Sequence, residues 1–498
     1  MSRTRRPPRR ATQSPRAQVA TTESPPKLAE KWPTFLSWGI LVGLLPFVGM
    51  TLYGIAKLVS YPYEANFGEG GVLYDAIRLA RGEAIYQPAG LAERWLSPYP
   101  PLYQWIVSVI GAGSFVAARC ISAVAAFTSA ACLFILLRYA GVGWGYAGVG
   151  SALWLVSPFV NVWAGLARVD MFGRALESLA VVCFVMIRPT GLRWAMALGF
   201  AVLAMLTKQS LIAGALTCFG LLWFVDQRKA WGFAGLWSFG TLICYGALAL
   251  ATNGQFLRNV FLDAGRSLEP RALFEWLILG FAFSHVPQLI AGACGTIAAW
   301  REARKRVFVV ATVAGLPSVL LSAHDGADVN YYFDILWGTC GLATVGLEKL
   351  ASRRELVPRA AAIALSAGII ASSWLIPMRW PDTRQLNQAQ EVQELLKQAP
   401  KPVLTEFVAF GLAAGSEPVC VPYLDKKLEE RGKWRSASLV ERIRRKEFGA
   451  IQLTSQAGNR WSPTILQTLE ENYRVSAHFP AMFAAEGEPT FFVLTPAP

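Results

Sequence analysis

Apolar residues in this chain come in long blocks separated by short polar punctuation, and the blocks set the architecture. A helix needs about 20 apolar residues to cross the hydrocarbon core of a bilayer. Blocks of this kind recur over 33–58, 115–137, 143–163, 171–187, 194–206, 211–225, 231–252, 274–300, 307–322, 331–347 and 360–377. They predict eleven spans, several of them short, which indicates breaks. The block "PPLYQWIVSVIG" at 100–111 differs. Its helical part is roughly 16 Å long at about 1.5 Å per residue, against about 30 Å of hydrocarbon. It predicts a helix along the interface, where Tyr103 and Trp105 are comfortable. Just before it, "GVLYDAIRLARGE" sets Val72, Leu73, Ala76, Leu79 and Ala80 on one helical side and Asp75, Arg78 and Arg81 elsewhere. That is a second, amphipathic helix at the same interface.

From residue 379 the pattern changes. "QEVQELLKQAP", "SASLVERIRRKEF" and "SPTILQTLEENY" read as helices; "KPVLTEFVAF", "GAIQLTS" and "TFFVLTP" read as strands. Such alternation predicts a small α/β domain over 379–498. At the other end, residues 1–31 are rich in Arg, Pro, Ser and Thr and predict a disordered basic tail, not a signal peptide. The predicted fold class is an α-helical polytopic membrane protein of about eleven spans plus interfacial helices, carrying a small extracytoplasmic α/β C-terminal domain. The membrane domain covers 32–378, with its first outer loop at 59–114.

Charge decides the orientation. With the N-terminus in the cytoplasm, the inner loops hold Arg138, Arg188, Arg193, Arg228, Lys229, Arg301, Arg304, Lys305, Arg306, Lys349, Arg353, Arg354 and Arg359. If 100–111 crossed, all of these would move outside and the positive-inside rule would be inverted. Composition agrees: 54% of residues are hydrophobic and 16% charged, where a soluble protein has about 25% charged. The +14 net charge then points to loops at a membrane surface and not to nucleic acid. The expected location is the cell membrane, multi-pass, with membrane lipids as surroundings. Seven of the eight Cys lie in apolar blocks and read as small core residues; Cys420 has no obvious partner.

The glycine run "GVGWGYAGVG" has GxGxxG-like spacing, but it follows a membrane helix and reads as close helix packing. There is no HExxH or CxxC, and the three His are scattered. No cofactor is called for with certainty, and the metal question, including a divalent cation, stays open. The outer loops say more. Glu64 and Glu69 follow the first span, Arg119 opens the second, Arg168 and Asp170 head the fourth, and Lys208 lies between the fifth and sixth. His324, Asp325, Asp328 and Asn330 precede the tenth. Bland readings exist for each: Asp170 as an N-cap neutralised by Arg174, Arg119 snorkelling to headgroups, the glutamates as solvated loop residues. Lys208 resists such a reading, because an intramembrane cation normally faces a cavity or partner. Glu177, two turns below Asp170, suggests a polar cavity.

A lipid-linked phosphate at headgroup level needs fixed cations for its leaving charge, and an incoming hydroxyl needs a carboxylate to take its proton. Arg119, Lys208 and Arg168 are candidates for the first role. Glu69, Glu64 and Asp170 are candidates for the second. Tyr99, Tyr103, His324 and Asn330 are candidates for substrate contact. The segments "ARGEAIY", "YPPLYQWIVSVIGAGSFVAARCISAVAAFTSAACLFILLRY" and "LAMLTKQSLIAGALTCFGLLWF" resemble, in order and spacing, the GT-C integral-membrane glycosyltransferases. They look most like the branch of protein O-mannosyltransferases and lipid A aminoarabinose transferases. The resemblance covers roughly 52–225 and implies an inverting transferase using a polyprenyl-phosphate sugar, acting on an extracytoplasmic lipid, glycan or protein hydroxyl. It maps the family's span-two Arg to Arg119 and its "LTK" Lys to Lys208. The family's acidic Asp-Glu pair corresponds to Gly68-Glu69 here, so the Asp is absent. Two rival readings remain, a polytopic transporter or lipid flippase and a non-catalytic assembly subunit of an envelope glycan pathway.

Overall fold

A computed structural model describes residues 28–88, 95–264, 267–374, 379–485 and 487–498. Most of the segment expected to be a basic tail lies outside the described residues. The membrane part is helical throughout. α1 (Leu28–Ser60) leads to two short helices, α2 (Glu69–Ala80) and α3 (Leu102–Gly111), which fall where the two interfacial helices are expected. α4 (Phe115–Tyr139) follows, started by Ser114, whose side chain accepts a hydrogen bond from Ala117 N. Then come α5 (Trp144–Val156), α6 (Pro158–Ala164), α7 (Val169–Met186), α8 (Thr190–Thr207), α9 (Ala213–Trp223) and α10 (Gln227–Ala251). The set closes with α11 (Val286–Arg301), α12 (Arg306–Ala314), α13 (Phe333–Ala351) and α14 (Leu356–Trp374).

By length and apolarity, 6 of the described helices suffice to cross a bilayer, or up to 8 if each of two bent pairs is one span. The bent pairs are α5 with α6, at 65°, and Pro270–Ala282 with α11, at 86°. These are breaks within the predicted blocks 143–163 and 274–300, and Pro158 and Pro287 lie at them. The other three predicted blocks also form helices, α7, α9 and α13. They fall short of the test for visible reasons: α9 has 11 residues, α7 carries Asp170, Arg174 and Glu177, and α13 carries Asp334, Glu348 and Lys349.

Glycine sets the helix spacing. A Cβ at Gly295 of α11 would collide with the Leu342 carbonyl of α13, and one at Gly346 would collide with the Ala291 carbonyl. The two backbones therefore touch, as small residues permit in membranes. The glycine run after α4 has the same use: Gly145 abuts Ser37, Gly148 abuts Leu41, and Gly150 abuts Leu137 and Thr344.

The C-terminal part holds a four-stranded sheet of order β1-β2-β4-β3, formed by β1 (Val403–Thr405), β2 (Ala450–Thr454), β3 (Tyr473–Phe479) and β4 (Phe491–Pro496). β1 runs parallel to β2; β4 is antiparallel to both β2 and β3. The strand expected across 401–410 is confined to β1, after which the chain turns into the helix Val408–Ala413. β3 and the helix Pro422–Glu430 were not foreseen by the sequence pattern. The domain packs directly on the segment after α1: Tyr63 stacks on Phe410 with centroids 5.6 Å apart, Tyr61 meets Phe483 edge-on at 5.7 Å, and Phe67 meets Phe407 at 6.0 Å.

Candidate functional site

The charged residues around the segment between α1 and α4 fall into two environments. In the first, Glu69 and Arg119 form a closed pair with no exposure. Glu69 Oε1 accepts from Arg119 Nε at 2.9 Å and Ala167 N at 2.5 Å. Its Oε2 accepts from Arg119 Nη2 at 2.7 Å, Ala65 N at 2.8 Å and Asn66 N at 3.2 Å. Arg119 gives its remaining hydrogens to the carbonyls of Leu58, Tyr61 and Tyr63 at 2.8, 2.5 and 2.7 Å. All five guanidinium N–H donors are thus used. Glu64 is equally enclosed. It accepts from Gly68 N at 3.2 Å and Gly70 N at 2.9 Å, and from Ala409 N of the C-terminal domain at 2.9 Å. Burial pushes its carboxyl up to about 7, against the downward pull of those N–H groups.

The second environment is a cavity of about 560 Å³ where the loops meet. One side is built from Asn66, Phe67, Gly68 and Gly71, with Asp75 of α2 and the segment Trp95, Leu96, Pro98 and Tyr99. Trp163 and Arg168 come from the junction of α6 and α7, Lys208 from the end of α8, and Trp276 from the helix before α11. Asp328, Asn330 and Tyr331 enter ahead of α13. The C-terminal domain supplies Val421, Tyr423, Leu424, Gln456, Asn459 and Arg460. Predicted residues Arg168, Lys208, Tyr99 and Asn330 therefore converge here. Glu69, Glu64, Arg119, Tyr103, Asp170 and His324 are not among the cavity-lining residues.

Each of the residues outside the lining has a visible job. Tyr103 donates to the Ala118 carbonyl at 2.8 Å and ties α3 to α4. His324 Nδ1 lies 3.0 Å from the Leu321 carbonyl, within a turn that pairs with Leu268. Asp170 stands behind the cavity wall: its Oδ1 accepts from Lys208 Nζ and from Asn330 Nδ2, both at 2.7 Å. Arg174, expected to neutralise Asp170, turns instead to Glu177 at 3.1 Å and to Asp334 at 2.5 Å.

The cations of the cavity are not equivalent. Lys208 is balanced by Asp170 and sits 4.4 Å from the Tyr331 ring centroid. Arg460 pairs with the fully buried Glu406 at 2.6 Å. Arg168 donates to the Phe67 carbonyl at 3.2 Å and the Tyr99 hydroxyl at 3.4 Å, lies over Trp163 at 5.1 Å, and has no carboxylate partner among the described residues. Its Nε is buried without any partner. Gly68 makes room for it: φ is +103° and Arg168 Nη1 stands where a Cβ would go, so a side chain here would be strained and would displace the guanidinium. The absent Asp of the predicted acidic pair is thus replaced in space by a guanidinium from another loop.

Sequence reasoning missed one carboxylate that lines the cavity. Asp75 is 2% exposed and accepts from Trp95 Nε1 at 2.7 Å and Ser97 Oγ at 2.6 Å. Burial pushes its carboxyl up to about 7, with the Ser97 and Trp95 hydrogen bonds opposing the shift. Its position on the polar side of α2 was legible, but the fold-back of Trp95 and Ser97 over it was not. Asp328 also lines the cavity and caps Val329 N at 2.7 Å. Among the described residues, no group of three or more His, Cys, Asp or Glu is arranged to hold a metal ion.

No protein-family model matches the sequence, and no curated protein matches it. Solved structures do. ArnT from Cupriavidus metallidurans in the apo state aligns with a TM-score of 0.57 at 13% identity, covering 90% of this chain and 97% of ArnT. The same protein bound to undecaprenyl phosphate gives 0.58 at 12% identity, with the same coverage. The archaeal oligosaccharyltransferase AglB from Archaeoglobus fulgidus, in complex with an inhibitory peptide and a dolichol-phosphate, gives 0.54 at 9% identity, covering 94% of this chain and 74% of AglB. A likeness over nine-tenths of the chain at such low identity is a likeness of fold. This polytopic membrane protein, with its α/β C-terminal domain, shares the fold of ArnT and AglB.

Proposed function

We propose that the chain is a membrane glycosyltransferase that moves a sugar from a polyprenyl-phosphate donor to an extracytoplasmic hydroxyl. The observation that carries this reading is the cavity itself, which sets an unpaired guanidinium and an ammonium against a carboxylate of raised pKa. The ligands named for the similar structures, undecaprenyl phosphate for ArnT and a dolichol-phosphate for AglB, support a lipid-phosphate donor. The distribution of loop cations supports an outward-facing cavity and a cytoplasmic N-terminus.

In this reading Arg168 and Lys208 receive the donor phosphate. Asp75 accepts the proton of the acceptor hydroxyl as that oxygen forms a bond to the anomeric carbon. The anomeric carbon–oxygen bond to phosphate breaks, and the phosphate leaves with the electron pair. Arg168 and Lys208 stabilise the charge that grows there, and the low-dielectric walls strengthen that effect. Asp170 and Asn330 hold Lys208 in place. Glu69 and Arg119 organise the loop and do not touch substrate.

The test is sugar release from a labelled polyprenyl-phosphate donor by the full chain in lipid nanodiscs. Asp75→Asn is expected to lower kcat by about 10²–10⁴-fold, the usual contribution of a general base, while the protein stays folded. A transporter or a non-catalytic subunit would tolerate that change, and wild-type protein that neither binds nor cleaves any such donor would remove the reading altogether.

A further inference from the structure

The donor phosphate accounts for one side of the cavity; the other side is built by the C-terminal domain and has a different character. The charges facing the cavity can be counted. Lys208 is neutralised by Asp170 at 2.7 Å and Arg460 by Glu406 at 2.6 Å. Arg168 is the cavity cation without a carboxylate among the described residues, and a phosphodiester donor satisfies it. Among the described residues, no unbalanced positive charge is left for an anionic group on the acceptor.

What the C-terminal wall offers instead is neutral and planar. Gln456 and Asn459 present amides along one short helix. Gln456 is held by Arg460 Nη2, which donates to its Oε1 at 2.7 Å, leaving the amide nitrogen for a ligand oxygen. Arg460 is itself fixed, with its guanidinium 4.1 Å from the Phe67 ring centroid and its Glu406 partner also accepting from Thr454 N and Trp461 Nε1. Trp95, Trp163 and Trp276 line the same cavity. Amides that can bridge neighbouring hydroxyls, in a cavity that is also lined by aromatic residues, form a surface suited to a sugar ring. An extended peptide would call for an exposed strand edge. The C-terminal wall of this cavity comes from the helices Pro422–Glu430 and Ala457–Arg460 and their flanking residues, not from any of the four strands.

We propose that this wall is an acceptor subsite for an uncharged sugar ring, read by Gln456 and Asn459, so that the acceptor is a neutral glycan and not a phosphorylated lipid or a protein. The inference rests on the donor reading above. The hydroxyl that attacks belongs to the bound ring; its proton passes to Asp75 and polyprenyl phosphate departs, as already written.

The experiment presents the nanodisc-embedded full chain with labelled polyprenyl-phosphate pentose or hexose and four acceptors: a free neutral oligosaccharide, a lipid-linked neutral oligosaccharide, a phosphorylated glycolipid and a Ser/Thr-rich peptide. Label in either neutral glycan supports the proposal, and the two arms tell a free acceptor from an anchored one. Gln456→Ala and Asn459→Ala should each raise the acceptor KM about tenfold, the scale of one lost hydrogen bond, and move the donor KM far less. Asn459→Lys should gain transfer to the phosphorylated glycolipid. Transfer only to the peptide or only to the phosphorylated lipid overturns the proposal, as do equal shifts in both KM values. Wild-type protein that binds the donor yet labels only charged or peptide acceptors defeats the acceptor subsite alone. Protein that neither binds the donor nor releases its sugar to any acceptor or to water defeats the donor reading as well.

Discussion

Two buried acids of α2, Glu69 and Asp75, each share their surroundings with an arginine, Arg119 in direct contact with Glu69 and Arg168 in the lining of the same cavity as Asp75, and they differ in one respect. Around Glu69 and Arg119 every lone pair and every N–H is engaged by the protein. Arg168 is incompletely engaged, with its Nε unpartnered, and Asp75, whose two oxygens accept one hydrogen bond each from Trp95 and Ser97, lines the same cavity. Residue type does not separate the two: each has an acid and an arginine, and each is deeply buried. Saturation does. A filled shell holds the chain together, whereas an unfilled one leaves capacity for a ligand.

That contrast can be broken most forcefully at its two acids. Asp75→Asn is expected to cost catalysis up to about four decades with little loss of fold, read as kcat beside a thermal melt. Glu69→Gln should do the reverse: it leaves Arg119 buried without its counter-charge, a loss of about 3–5 kcal/mol, seen as a lowered melting temperature and poor recovery from detergent. If the two variants exchanged phenotypes, the division between filled and unfilled shells would be wrong. Arg168→Gln should lower kcat by about 10²–10³-fold, the range for one donor aimed at developing charge, and weaken donor binding without lowering the melt.

The smaller effects concern pH. Asp75 must be ionised to take a proton, so kcat should rise with pH and level off above about 7. Glu64, also raised to about 7, acts on stability. Its native form holds a proton that the unfolded chain has already lost between about 4.5 and 7, so its contribution is present at the acid end and fades as pH rises through that window. Asp75 contributes a slope of the same sign. Glu64→Gln should therefore flatten, without abolishing, the fall in melting temperature between pH 5 and 8, and an unchanged slope would contradict the enclosed position of Glu64.

Much of the fold was written in periodicity. The two short helices ahead of α4 lie at Glu69–Ala80 and Leu102–Gly111, where apolar spacing and insufficient length placed them. The breaks at Pro158 and Pro287 were not legible, since the blocks 143–163 and 274–300 are each long enough to cross unbroken, and proline marks where a helix can bend but not by how much. β3 was hidden because "YRVSAHF" has no clean alternation; five of its seven positions are exposed or half-exposed, and it is held by pairing to β4 across a bulge. In the cavity, Arg168, Lys208, Tyr99 and Asn330 were legible as polar residues at the mouths of apolar blocks. Asp75 and Arg460 were not, since their surroundings come from Trp95, Ser97 and Glu406, which no local pattern connects to them.

The hydrogen bond from Ala409 N to Glu64 reaches across 345 positions of sequence, and it gives biosynthesis a timetable. While the ribosome is still delivering the membrane helices, the loop that carries Gly68 and Asp75 has one wall and no roof. Only after residues 409 and 460 have emerged and folded can that loop be gripped and the chamber closed. In the proposed transferase reading, a half-made chain would accordingly be unable to discharge a donor, and competence would arrive with the last domain.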